Sequence, residues 1–380
     1  MISPNPIAAT IILIFGLQAI VLSVLLLLKR PIRQSNFLLA LVLFFFSLMS
    51  VNIGMANFLF SYDLFHVFRY VQLELLFGIG PALYLFTKSI TDPDYRISPK
   101  EYIHFLPVVL EFIFYRTEFY RLGSNGLYQT PVHPFTIVYL AVQWLGTASI
   151  SVYVLLSVRV LIKYQQWIKS KYSNLKNKSL GWLQIPVFIY SGYWIVWLIL
   201  IKIDLHVFQN AFKELYFLPT HIGLSIITTW IGLIGYIKSQ TEVSGFLKTS
   251  LKTDTVPINP EEVKLITDLM DTQKPYLNPD LDLLKLSELA KLNPKITSRI
   301  INHDLHMNFY EFVNKHRVEE FKQRLQQSDH DQLTLLGHAF ECGFNSKSTF
   351  NHIFKKYTQQ TPREYYHKVK NESEQKHSDV

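Results

Sequence analysis

The first candidates for chemistry are the polar and titratable residues that interrupt long apolar stretches: Asn52, Asn57, Arg69, Gln72, Glu74, His104, Glu111, Gln143, Gln184, Asp204 and His221. Such groups are costly in hydrocarbon, so each needs a partner or a function. Arg69 and Glu74 lie five apart, further round a helix than an ideal i,i+4 pair, which sends each to a partner on another helix. The set serves either as hydrogen-bonding contacts between helices or as a ligand pocket, proton relay or transport path. On the second reading Asn52, Arg69, Glu74, Glu111, Gln143 and His221 are the candidate membrane sensor. His104, His206 and His221 have no paired spacing of the kind haem ligation uses. Positions 1–240 contain no nucleophile elbow, metal-binding helix motif or phosphate loop. Cys342 is the one cysteine, which excludes an intramolecular disulfide and a cysteine zinc cluster. Neither catalysis nor a cofactor is expected.

The elements that carry these residues follow from composition. The 380 residues are 49% hydrophobic and 17% charged, against roughly 25% charged in soluble domains. With a mean hydropathy of +0.16, an ordinary cytosolic enzyme is disfavoured. The apolar residues crowd into positions 1–240, where seven stretches approach or reach the length of about 20 residues that a spanning helix needs. They are Ile7–Leu28, Phe37–Phe60, Leu64–Ile90, Tyr102–Phe119, Phe135–Ile162, Trp182–Ile203 and Leu215–Ile237. The fourth is the weakest, because Glu111 and Arg116 interrupt it and Pro107 bends it. The first lacks a basic leader and runs into Lys29-Arg30 instead of a cleavage site, so it is expected to stay attached.

The net charge of +8 belongs to this apolar half. Residues 1–240 carry 18 Lys/Arg and 9 Asp/Glu, residues 241–380 carry 19 and 20. The pI of about 9.2 is therefore no sign of nucleic-acid binding. It reports topology: alternate loops hold twelve Lys/Arg on one side (29, 30, 33, 88, 96, 100, 159, 163, 169, 171, 176, 178) and four on the other (116, 121, 202, 213). Basic loops stay in the cytoplasm, so the N-terminus is expected outside and the chain after Lys238 inside.

Positions 241–260 read as a linker, and 261–275 as a short connecting helix with an acidic start at Glu261-Glu262. From Tyr276 come short helices with clear start and stop signals. Asp282 caps a helix through Ala290, Lys291-Leu292 turn, and Asn293-Pro294 open a second helix reaching His303. A longer helix over Phe309–Gln327 places Phe309, Phe312, Val313, Phe321 and Leu325 on one face. Thr334 then starts a helix ending near Cys342, Gly343 supplies a positive-φ turn, and Ser346 caps Lys347–Tyr357. Thr361-Pro-Arg-Glu364 is a capping box. Ser287-Glu-Leu-Ala-Lys-Leu-Asn293 matches Ala339-Phe-Glu-Cys-Gly-Phe-Asn345, so the chain contains two helix-turn-helix units joined by one helix. Two such units can place their second helices in the major groove about one turn of B-DNA apart. Residues 371–380 read as a disordered tail.

Tyr276–His367 resembles the DNA-binding domain of the AraC/XylS family of bacterial transcription regulators, most closely over Ala339-Phe-Glu-Cys-Gly-Phe-Asn-Ser-Lys-Ser-Thr-Phe350, Phe354-Lys-Lys-Tyr357 and Thr361-Pro-Arg-Glu-Tyr365. Ser298-Arg-Ile-Ile-Asn302, Asn308-Phe-Tyr-Glu-Phe312 and Arg317-Val-Glu-Glu320 carry it into the first unit. The order of apolar half and domain is similar to membrane-embedded members of that family. The resemblance implies an all-α chain, a seven-helix membrane bundle followed by a cytoplasmic double helix-turn-helix domain over 276–370. It also implies a one-component regulator in the bacterial inner membrane. Its implied partners are double-stranded promoter DNA, the lipid bilayer, a signal ligand of unknown chemistry, RNA polymerase and a second copy of the chain. The alternatives are a transporter-like membrane protein with an autoregulatory tail and a receptor whose tail binds protein.

Carried over by position, the base-contacting surface falls on Lys295, Ser298 and Arg299 in the first unit and on Lys347, Ser348, Asn351 and His352 in the second. Arg299 or Lys295 can donate to guanine and Asn351 can pair with adenine, while Lys355 and Lys356 suit phosphate. Departures from the family pattern are Ser287 and Phe321 for alanine, Lys291, His306 and Gln359 for glycine, Thr297 for leucine, His338 for an aliphatic residue and Tyr366 for a basic one. With acid and base nearly balanced in the domain, affinity has to come from local clustering.

Overall fold

A computed structural model describes residues 6–30, 33–59, 75–92, 94–114, 117, 136–176, 178–208, 211–238, 259–327 and 334–378. The described residues are helical with no strand, in agreement with the all-α expectation. The chain divides into two units, Met1–Tyr164 with Leu180–Ser250, and Gln165–Ser179 with Leu251–Val380.

In the first unit α1 (Pro6–Leu28), α2 (Gln34–Leu59), α3 (Leu76–Thr91), α4 (Thr136–Lys171), α5 (Gly181–His206) and α6 (Lys213–Lys238) follow the apolar stretches. No charged side chain falls within α1, and Lys29-Arg30-Pro31 ends it. Apolar residues point both ways: Ile12, Leu22 and Leu26 are buried against neighbouring helices, while Ile14, Val21 and Leu28 are exposed. A helix that is apolar on its outer face as well fits a lipid surrounding. Small residues bring the helices together. A Cβ on Gly54 of α2 would lie 3.1 Å from the Ala9 carbonyl of α1, and one on Gly235 of α6 would lie 2.5 Å from Leu39.

Four helices among the described residues are long and apolar enough to cross a membrane, where seven spans were expected: Ile7–Leu28, Gln34–Met55, Trp144–Lys171 and Pro219–Lys238. The third expected span is described only from Leu75, as the 16-residue α3. The fourth is described only in part. It opens as a 3₁₀ turn, Pro99–Phe105, and is helical over 106–114. The residue that weakens it, Glu111, is buried and accepts from the N–H groups of Leu76 and Phe77 at 3.2 Å each. It thus caps α3. The sixth is the 26-residue α5, several of whose side chains lie outside the described residues.

The second unit contains α7 (Pro260–Thr272), α8 (Leu283–Ala290), α9 (Pro294–Arg299), α10 (Phe309–Gln327), α11 (Leu335–Glu341), α12 (Lys347–Thr358) and α13 (Pro362–Ser378). It has two cores. Ile266 and Met270 of α7 join Leu286, Ile300, Ile301 and Phe312 in one, so the helix expected as a connector belongs to the domain. Phe321, Leu325, Phe344, Phe350 and Phe354 form the other. The five apolar residues expected on one face of α10 are all buried but divide between these cores, Phe309, Phe312 and Val313 in the first and Phe321 and Leu325 in the second. The expected linker lies outside the described residues from 241 to 258. Positions 371–378, expected as disordered, continue α13, since neither proline nor glycine occurs after Pro362.

Candidate nucleic-acid interface

Each helix-turn-helix unit is set by caps that the sequence dictates. Asp282 accepts from Lys285 N at 2.9 Å and Asn293 from Lys295 N at 2.9 Å. In the second unit Thr334 accepts from Gly337 N at 3.1 Å and Ser346 from Thr349 N at 3.2 Å. The two turns close with the same bond. Leu292 N donates to Ser287 O at 2.9 Å and Phe344 N to Ala339 O at 3.1 Å, each after a residue with positive φ.

The turn residues differ for a local reason. Gly343 has φ 90°, and a Cβ there would stand 2.3 Å from the Tyr276 carbonyl, so only glycine fits. Lys291 takes φ 54° in the first unit. His306 and Gln359, which also replace favoured glycines, take φ 52° and 59°. All three keep the left-handed bend at a conformational cost. Two other departures are accommodated locally. Ser287 bonds back to Leu283 O at 2.6 Å, and the Phe321 ring meets Phe350 tilted and Phe354 edge-on at centroid distances of 4.8 and 5.3 Å.

Lys295 on α9 and Lys347, Ser348, Asn351, His352, Lys355 and Lys356 on α12 are exposed, and Ser298 and Arg299 are half-buried. The Ser298 carbonyl and hydroxyl accept from Asn302 at 2.7 and 3.1 Å, and the Ser348 hydroxyl lies 3.4 Å from that of Ser346. Lys356 is engaged: it pairs with Glu311 at 2.6 Å, and that hydrogen bond holds the Glu311 carboxyl below its ordinary range. Lys355, on the same turn, has no such pair among the described residues. Neither α9 nor α12 contains an acidic residue. Several of the domain's acids are held in ion pairs away from these helices, Glu320 with Lys274 and Arg324 at 2.8 and 2.9 Å, Glu341 with Arg324 at 2.6 Å, and Glu319 with Lys322 at 2.8 Å. Local positive potential on the recognition helices thus survives a neutral total.

A groove of about 400 Å³ runs beside α12, lined by Thr334, Lys347, Asn351, Thr361 and Arg363 among others. Sequence reading left out Arg363, although its place one residue after the helix-opening proline puts it at the first turn of α13. Its charge and the exposed Lys347 suit a phosphate beside the bases that α12 would read.

Residues 286–368 match the helix-turn-helix domain family. The matched segment takes in both units, as the sequence resemblance implied. Two HTH-type transcriptional regulators of Staphylococcus aureus, from strains COL and MSSA476, are each 30% identical over 108 residues, which is 28% of this chain. The chain spans only 14% of the length of these relatives. No solved structure matches it. The double helix-turn-helix domain supports double-stranded DNA binding and transcription regulation.

Of the six candidate sensor residues, Asn52, Glu111 and His221 have described side chains. Glu111 caps α3 as described, Asn52 is half-buried in α2, and His221 is buried in α6. Gln143 belongs to α4 with its side chain outside the described residues, as Arg69 and Glu74 are entirely. A contact the sequence did not signal is His104 Nδ1 to the Tyr153 hydroxyl at 2.8 Å, with Tyr84 packed against both rings.

Proposed function

We propose that this chain is a membrane-bound one-component transcriptional regulator, in which the apolar half senses a signal and the helix-turn-helix domain binds promoter DNA. The observation that carries the DNA-binding part is the repeated unit: two turns closed by the same hydrogen bond, each presenting a recognition helix with basic and no acidic residues. Apolar helices with exposed aliphatic faces support the membrane part. Binding of signal shifts the bundle between two arrangements that pair or release the DNA-binding domains of two copies. No catalytic step enters this mechanism.

The reading includes the bacterial cytoplasmic membrane, an outer N-terminus, an inner domain and seven crossings. The loop-charge asymmetry supports it, and so do two contacts. Lys29, after α1, donates to the Tyr236 carbonyl at the end of α6, so the first basic loop shares a side with the start of the tail. The turn after α4 bonds to the helix-turn-helix domain itself, which supports a cytoplasmic place for the most basic loop.

The test is binding of the full chain in lipid nanodiscs to DNA upstream of its own and adjacent genes, at two salt concentrations with unrelated DNA as competitor. Sequence-selective binding that weakens with salt is expected. Equal binding to unrelated DNA, or none, overturns the reading.

A further inference from the structure

The turn after α4 is built into the helix-turn-helix domain. Tyr172 pairs with Asp282 in an isolated antiparallel bridge. Ser173 donates its N–H and its hydroxyl to Leu281 O at 3.4 and 2.5 Å. The Ser173 carbonyl accepts from Asn314 Nδ2, and its hydroxyl oxygen accepts from Arg317 Nη2, both at 3.3 Å. Asn174 Nδ2 donates to Asp280 Oδ1 at 3.2 Å. Ser173, Asn314 and Arg317 are 1%, 0% and 2% exposed. A hydroxyl that both donates and accepts where water is shut out is a specified contact, since its partners there have few substitutes.

These partners lie on two separate parts of the domain. Asp280, Leu281 and Asp282 lead directly into α8, the first helix of the first unit, whereas Asn314 and Arg317 belong to α10, which joins the units. The turn therefore ties the first unit to the connecting helix. The recognition helix α9 is fixed to α8 through the Lys291 turn, and α12 packs against α10. The contact thus bears on the relative placement of the two recognition helices, although it touches neither.

The turn is also the end of a long lever. α4 is one continuous helix of 36 residues, about 54 Å at the helical rise of about 1.5 Å per residue. A hydrocarbon core is about 30 Å thick. On the membrane reading the helix is longer than the core it crosses, and it stops at Lys171, immediately before the docked Tyr172.

We infer that the Tyr172–Asn174 turn is a regulatory contact, through which movement of α4 controls the DNA affinity of the domain. Docked, it holds the two units in the arrangement that fits DNA; withdrawn, it frees the first unit. This inference rests on the regulator reading above and adds a route for the signal that does not use the linker at 241–258. The route carries a signal only to the extent that docked and withdrawn forms differ in affinity for DNA.

The test uses the full chain in nanodiscs. N174C and D280C together, joined by a short bis-maleimide, lock the turn; Ser173→Arg, which sets a second cation beside Arg317, releases it, and the milder Ser173→Ala removes the hydroxyl alone. Rapid bridging of the cysteine pair in the native membrane is expected, and its failure overturns the docking itself. Ser173→Arg is expected to weaken binding to the selected upstream DNA about tenfold, a coupling of ordinary size, with Ser173→Ala between it and the locked form. Equal selective binding by locked, released and unaltered chains overturns the regulatory role while leaving the regulator reading intact. Tighter binding by the released chain overturns the claim that docking favours DNA. Loss of selectivity in every form, with bridging intact, removes the DNA-binding reading and this inference with it.

Discussion

Arg317 and Ser173 stand 144 positions apart, yet the guanidinium donates to the hydroxyl at 3.3 Å in a site almost closed to solvent. The same guanidinium donates to the carbonyls of Tyr276 and Asn278 at 2.8 Å each and to Asn314 Oδ1 at 3.3 Å. Burial pulls its pKa down to about 10, so it remains charged at neutral pH. One planar cation thereby gathers the segment before α8, the connecting helix and the docked turn.

Arg317→Leu is expected to destabilise the second unit by about 3 kcal/mol, because it strands several acceptors in a dry site. Arg317→Lys is expected to recover only part of that, since a single ammonium cannot span the fork. Hydrogen exchange of α8 and α10 in the reconstituted chain measures both. Unchanged protection in Arg317→Leu would show that the fold does not depend on the guanidinium.

The left-handed residues give a prediction of the opposite sign. Lys291, His306 and Gln359 hold φ between 52° and 59°, a conformation that costs roughly 1–2 kcal/mol for a residue with a Cβ. Each change to glycine is expected to stabilise the domain by about 1 kcal/mol, less the greater chain entropy of glycine when unfolded. Gly343→Ala is expected to cost at least about 3 kcal/mol, because its Cβ would meet the Tyr276 carbonyl at 2.3 Å. Denaturant midpoints of the four variants check the signs.

These turns explain how much of the domain was legible. Local signals set them: a cap side chain, a proline at the first helical position, an apolar residue after the turn. Each acts within a few residues along the chain, so the helix-turn-helix units could be read directly. Even non-glycine residues at glycine-favoured positions bend as the pattern requires. The docked turn was illegible for the converse reason. Tyr172-Ser-Asn174 sits among Lys169, Lys171, Lys176 and Lys178 and reads as one more basic loop. Nothing in its periodicity indicates partners at Leu281 and Arg317. Glu111 misled in a related way: a carboxylate in an apolar run signals cost, but the sequence does not say that two backbone N–H groups across the bundle meet it.

Stability of the domain is expected to depend on acid through Glu320. Burial alone would raise its pKa, but hydrogen bonds from Lys274, Arg324 and Tyr276 outweigh burial and hold it below its ordinary value of 4.5. The folded carboxyl therefore binds a proton less readily than the unfolded one. Its contribution is complete above that value and is lost as pH falls through the depressed folded pKa. Thermal unfolding scanned from pH 7 to pH 3 is expected to fall below about pH 4.5, with a shallower fall in Glu320→Gln. Parallel curves for the two proteins would assign the acid sensitivity to other groups.

The two adjacent lysines at the end of α12 offer a test of the interface that does not depend on knowing the operator. Lys355 is exposed without an ion pair among the described residues, while Lys356 is held by Glu311. A lysine that neutralises a phosphate releases about one counterion, so Lys355→Ala is expected to lower the slope of log affinity against log salt by about 0.9. Lys356→Ala should change that slope less, because binding must first compete with the Glu311 carboxylate, and should instead loosen the contact between α10 and α12. Asn351→Ala, on the side of the same helix proposed to face the bases, is expected to leave the slope unchanged and to reduce discrimination at one base pair by about 1–3 kcal/mol. Salt titrations of the three variants on matched and mismatched DNA separate these effects. An equal loss of slope from both lysines would mean that the ion pair opens freely on DNA, and a slope change from Asn351→Ala would move the phosphate contacts onto the face assigned here to the bases.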